Sequence, residues 1–169
     1  MIRVWLSFVP PTVTSQQKGL RVFGRKRHHF FTKDEVHDAE TLIREALDPH
    51  RLGQPLHGAI GLHTSWVWPW RKNEPKRVTN KELLALRDTP PDHDNCVKLF
   101  QDVMTGMKFF DDDGRIAVAD TNTYWGYEPG IGLMVGRLRD LNAAYTFKKL
   151  IGDNPFWFLK HWAVAEELK

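Results

Sequence analysis

The stretch Pro91-Asp92-His93-Asp94-Asn95 constrains the fold most, because the hydrophobic pattern changes there and carboxylates crowd the change. Pro91 disfavours helical geometry before it, which leads us to expect Asp92 to Asp94 to be extended. Extended side chains alternate with period two, so Asp92 and Asp94 should point to the same side. From Asn95 the apolar residues Val97, Phe100, Val103, Met104 and Met107 recur at helical spacing, with Gly106 available as a stop. One helix face is thereby buried, and Asp94, Lys98 and Asp102 fall on another. About three turns later the chain reaches Asp111-Asp112-Asp113-Gly114, a second group of acids that the helix could bring back to the first. Crowded carboxylates repel, and a hard divalent cation with oxygen ligands is the usual way to offset that cost. An Mg²⁺-type site is expected.

Each piece also has an ordinary structural reading. Asp before a helix is an N-cap, an acidic run ending in Gly is a turn, and Lys98 four residues after Asp94 is a surface pair. Capping needs only one acid at the helix start, however, and leaves the second Asp and the triple Asp after Phe109-Phe110 without a role.

Pro-Asp-His-Asp-Asn, the lysine at 98 and the Asp-Asp pair at 112 and 113 together resemble the RusA-type Holliday junction resolvases. That family's core reads Pro-Asp-x-Asp-Asn, a helix with a lysine, and an Asp-Asp before a strand. The resemblance runs backward through Pro69-Trp70, the basic run Lys72 to Lys81, Leu83-Leu84 and Thr89-Pro90. Forward, it takes in Arg115 to Val118 and Thr123-Tyr124-Trp125-Gly126, and it covers roughly Ile2 to Leu138. It implies an Mg²⁺-dependent, homodimeric endonuclease that resolves four-way DNA junctions, with Mn²⁺ able to substitute, in recombination and repair. It also implies that Asp92, Asp94 and Asp113 bind metal, that Lys98 is the active-site lysine, and that Asp112 is a neighbouring acid of the catalytic group. Three departures stand out: His93 replaces an aliphatic residue, Gly114-Arg115 a small-polar pair, and Asn122-Thr123 the basic residue often found before the Tyr-Gly ending.

The charge distribution points the same way. Net charge is only +3, yet no acid occurs from Met1 to Lys33, where Arg3, Lys18, Arg21, Arg25, Lys26, Arg27 and Lys33 gather. A second basic run holds Arg71, Lys72, Lys76, Arg77, Lys81 and Arg87. Arg25, Lys26, Arg27, Lys72, Lys76, Arg77 and Lys81 are the expected DNA contacts, since such clusters are the footprint of a phosphate-binding surface. From charge alone, a solvated face explains them equally well.

With 169 residues the chain is expected to form one core, an α+β fold with a mixed sheet packed by helices. The pattern predicts strands at Ile2–Phe8, Ala59–Trp68, Arg115–Tyr124 and Ile131–Leu138. Helices are expected from the Thr32/Glu35 capping box to Leu47, briefly near Lys81–Leu86, at Asn95–Met107, and at Leu141–Ile151 and Pro155–Leu168. Residues 1–138 would be the nuclease domain, and 139–169 a helical extension packed on it, its last helix apolar nearly all round. The single cysteine, Cys96, reads as a buried small residue in a reducing compartment and rules out a cysteine-based zinc site. No signal peptide or membrane span is expected, which suggests a cytoplasmic protein of a bacterium or phage.

Two other classes remain open at this point. A non-catalytic DNA-binding protein would use the basic segments alone. A metal-dependent phosphohydrolase acting on a nucleotide is suggested by Asp92-His93-Asp94, but its further His and Asp ligands are not found at motif spacing.

Overall fold

The computed structural model describes residues 1–13, 18–23, 27–32, 34–74, 76, 84–90 and 93–153. Its strands are β1 (Ile2–Leu6), β2 (Lys18–Phe23), β3 (Arg27–Thr32), β4 (Ile60–Pro69), β5 (Leu84–Leu86), β6 (Ile116–Gly126) and β7 (Gly130–Arg137). Its helices are α1 (Asp34–Leu47), α2 (His93–Gly106) and α3 (Leu141–Asp153). Five strands form a mixed sheet in the order β1-β7-β4-β6-β5, and β2-β3 is a separate antiparallel hairpin. Within the sheet β4 and β6 run parallel, with α2 in the connection between them. A parallel neighbour requires such a crossover.

One face of the sheet carries the main core. Leu62, Trp66 and Trp68 of β4 and Ile131, Leu133 and Val135 of β7 meet Val36, Ala39, Ile43 and Leu47 of α1, and Leu99, Phe100, Val103 and Met104 of α2. Trp66 stacks on Trp68 at 5.7 Å and takes the edge of Phe100 at 5.6 Å. These are favourable offset and edge-to-face arrangements. The opposite face is covered near Gly61 by α3, whose Phe147 and Ile151 pack on Met134 and Leu138. A Cβ at Gly61 would sit 3.0 Å from the Phe147 ring. At Gly130 the approach is closer still: a Cβ would lie 2.2 Å from the Trp5 ring, so only glycine lets β1 pack against the start of β7.

Several expectations need correction. Helix α2 starts at His93, so Asp94 is already in the first turn and not extended. Proline restricts the residue before it rather than those after it, and Asp92 lies outside the described residues. Leu84–Leu86, expected at the end of a short helix, is instead an edge strand paired antiparallel with β6. Three residues cannot close a stable helical turn, whereas the β6 edge offers ready partners for their backbone groups. The hairpin β2-β3 was hidden in the acid-free segment, where charge masked the alternation of Leu20, Val22, Phe30 and their neighbours. Residues 81–83 and the expected Pro155–Leu168 helix lie outside the described residues.

Helix α2 ends at Gly106, the residue the sequence offered as a stop. Gly106 remains helical, and the left-handed residue is Lys108, at φ 64°. The Phe109 amide bonds back to the Met104 carbonyl at 3.0 Å, closing the turn that sends the chain to Asp111–Asp113. A residue with a Cβ is strained there by about 1 kcal/mol. Lys108→Gly is therefore expected to raise stability by about 0.5–1 kcal/mol, read as a higher urea midpoint at unchanged slope. A lower midpoint would mean that the Lys108 side chain contributes more than its backbone costs.

Candidate active site

Helix α2 presents Asp94, Lys98 and Gln101 along one stripe, at spacings of four and three residues. The stripe forms one wall of an open groove of roughly 600 Å³, and Ala119 to Thr121 of β6 form the other. Val97 lines its floor, and Asn95 stands at the first turn. The apolar side of the same helix is locked into the core through Cys96, Leu99 and Phe100. Burial on one side thus fixes the direction of the polar stripe on the other.

The second acidic group arrives from the turn after α2. Lys98 Nζ lies 2.5 Å from Asp113 Oδ2 and 2.8 Å from Asp102 Oδ1. These bonds raise the lysine pKa, that to Asp102 most, and Lys98 in turn holds the Asp113 carboxyl below its usual range. At neutral pH the group is therefore one ammonium among ionised acids. Its members are about half exposed and reachable from solvent. Asp112 also caps a turn: its Oδ1 accepts from the Gly114 amide at 2.7 Å at the start of the 3-10 turn Asp113–Arg115. Asp111 is drawn off to His57, at 3.0 Å.

Of the residues singled out from sequence, Asp94 and Lys98 share the groove and Asp113 joins them through Lys98. Asp92, Arg25, Lys26, Arg77 and Lys81 lie outside the described residues. Lys72 is exposed in the turn after β4, Lys76 is exposed, and Arg27 begins β3. Two further arginines of the second basic run have partners within the fold. Arg71 is paired with Glu74 at 2.8 Å and Asp88 at 3.5 Å, and Arg87 folds inward against tryptophans.

Sequence reasoning missed a polar network on the other face of the sheet. His63 Nδ1 lies 2.7 Å from Asp120 Oδ2, and His63 Nε2 lies 3.0 Å from Ser65 Oγ. Asn122 donates to the same Asp120 oxygen at 3.0 Å. Partners across a parallel ladder share a face, so Asp120 sits with His63, and the residue also borders the groove between Ala119 and Thr121. The connectivity is that of a serine hydrolase triad, but His63 and Ser65 are both 0 % exposed, so no substrate can reach the hydroxyl. Burial lowers the His63 pKa despite Asp120, consistent with a neutral ring that satisfies polar groups inside the sheet. The period-two pattern Gly61, His63, Ser65 was the available signal.

The donors near Lys98 suit a hard cation. Asp94 and Asp113 offer exposed carboxylate oxygens, and Mg²⁺ typically takes only one or two such groups, completing its shell with water and substrate phosphate. Among the described residues no three His, Cys, Asp or Glu side chains converge on a closed metal site. An open acidic groove with a central lysine, on a mixed sheet, is an arrangement suited to phosphate esters. The sequence profile of the endodeoxyribonuclease RusA family matches residues 9–136, and the chain belongs to that family. No curated protein matches the chain. Among the described residues no helix is long and apolar enough to cross a membrane.

Proposed function

We propose that the protein is an Mg²⁺-dependent, structure-selective endodeoxyribonuclease that resolves four-way DNA junctions by paired phosphodiester hydrolysis. The observation that carries this reading is that Asp94 and Lys98 line one solvent-open groove while Asp113, from a separate segment, bonds to Lys98, in a chain of this family. Asp92, Asp94 and Asp113 would hold the metal, and Mn²⁺ would substitute for Mg²⁺. Bound there, the ion supplies an activated water and Lewis-acid stabilisation of the reacting phosphate.

The chain's own groups do the rest. Lys98, positive at every physiological pH, is placed to meet the charge that develops on the phosphate oxygens. Asp112 keeps Asp113 in place by capping its turn. Val97 and the buried side of α2 keep the acids on a rigid element, which limits the freedom that would otherwise misplace them. The basic residues of the hairpin segment and of Lys72 to Lys81 would hold the DNA arms by their phosphates. Two matched cuts call for two equivalent sites in fixed relation, so we propose a homodimer with twofold symmetry. Residues 139–169 are proposed as an extension of the 1–138 domain, and the protein as cytoplasmic, of bacterial or phage origin.

Two measurements test this reading. A synthetic four-way junction should be cut in Mg²⁺ or Mn²⁺, and EDTA should stop the reaction reversibly. Cutting that persists in EDTA would contradict it. Joint neutralisation of Lys72 and Lys76 should weaken binding to junction and duplex alike and flatten the salt dependence, by a slope of about 0.9 for each phosphate no longer neutralised. An unchanged slope would remove them from the DNA surface.

A further inference from the structure

Arg87 follows β5, in the run of basic residues that charge alone would assign to DNA. Its environment is unlike that of a phosphate contact. The guanidinium carbon lies 4.2 Å from the centroid of Trp68 and 5.2 Å from that of Trp125, so two indoles flank it. Trp68 is itself fixed, 2 % exposed, stacked on Trp66 and bonded through its Nε1 to the Pro10 carbonyl at 2.8 Å. The Arg87 amide donates to the Thr123 carbonyl at 3.0 Å, extending the β5–β6 pairing by one residue. From this anchored position Nη2 donates to the Pro90 carbonyl.

That carbonyl lies just ahead of α2. Pro90 and Pro91 carry no amide hydrogen, so this stretch of chain cannot pin itself through its own backbone donors. A donor from elsewhere in the fold is needed. We infer that Arg87 is a positioning residue for the acidic groove, a clamp that fixes the chain where it enters α2 and thereby places Asp94, rather than a phosphate contact. Burial lowers the Arg87 pKa, partly offset by the neighbouring Asp88, in keeping with a guanidinium held inward between the indoles. Arginine suits the task because its planar fork can stack and donate at once, which a lysine cannot do.

The test uses Arg87→Ala and Arg87→Lys in the full chain. Amide hydrogen exchange at Asp94 to Cys96 should quicken in both, while Trp66 to Trp68 in β4 keep wild-type protection. Mn²⁺ affinity, read by calorimetric titration with the metal alone, should fall about tenfold, the usual effect of losing an outer support of a metal ligand. Affinity for a four-way junction in EDTA should change less than about twofold, with the salt slope unchanged. A slope reduced by about 0.9 with wild-type exchange would make Arg87 a phosphate contact and overturn the inference. If Arg87→Ala loses β4 protection as well, Arg87→Lys decides, since it keeps the stem and charge; wild-type exchange at Asp94 to Cys96 in that variant would overturn the clamp. The metal arm rests on the proposed nuclease site. If wild-type protein shows no Mn²⁺ binding that Asp94→Asn weakens, that reading fails, and the exchange arm still decides the role of Arg87.

Discussion

Asp94→Asn should lower junction cleavage in Mg²⁺ by about a thousandfold while junction affinity in EDTA stays constant or rises. Asp94 is exposed in the first turn of α2, so the amide replacement fits without disturbing the core. It removes a hard anionic ligand from the groove, and it also removes a negative charge that repels the incoming phosphate. The two effects have opposite signs on catalysis and binding. Asp113→Asn should behave similarly for cleavage, but with an added consequence, because its carboxylate is the partner of Lys98 at 2.5 Å. Asp113 stays ionised to lower pH than a free aspartate, so its share of activity should persist down through the ordinary carboxylate range and be lost below it. Near wild-type cleavage by either variant in Mg²⁺ would remove that residue from the metal site. Burst-free single-turnover rates, with affinity measured separately, keep the two effects apart.

Lys98→Ala should separate chemistry from metal binding in the opposite direction. The ammonium lies between Asp102 and Asp113, at 2.8 and 2.5 Å, and offsets part of their combined charge. Without it the acids lose their counter-charge, and a divalent cation becomes the remaining way to offset their repulsion. Mn²⁺ affinity should therefore hold or increase. Cleavage should nonetheless fall by on the order of a hundred to a thousandfold, because a positioned charge near the reacting phosphate is gone. Junction affinity should change by less than about threefold, since one exposed lysine is a small part of a phosphate-binding surface. A parallel loss of cleavage and metal affinity would show that Lys98 only organises the acids. A parallel loss of cleavage and junction affinity would make it an ordinary DNA contact.

How much of the fold and site was legible in the sequence differs from element to element, for physical reasons. Helix α2 was readable because its apolar spacing is strong and unbroken, and the parallel pair β4 and β6 because both read as strands on either side of it. The first residue of α2 was not readable, since Pro91 biases the residue before it and says little about where a helix begins after it. The pairing of Lys98 with Asp113 was anticipated only as a shared site. Its geometry depends on Lys108 adopting a left-handed conformation that no residue type announces. Asp112, read from sequence as a neighbour of the catalytic acids, also serves as a cap, a role that depends on turn dihedrals the sequence does not show. Arg87 looked like surface charge because sequence shows valence and not burial, and the tryptophans that flank it come from two different strands. His63 and Asp120 are 57 positions apart and meet only through the β4–β6 register. Local pattern finds elements, and long-range register decides which side chains meet.

The proposed function stands or falls on substrate choice, and one competition assay addresses it. Wild-type protein in Mg²⁺ is offered equal amounts of an immobile-core four-way junction and a linear duplex built from the same strands, and cut positions are mapped on all four strands. The junction should be cut at least about a hundredfold faster, with incisions at symmetry-related positions in two opposing strands, and EDTA or Asp94→Asn should abolish both cuts. Equal rates on junction and linear duplex, or single unpaired nicks on the junction, would contradict a junction resolvase.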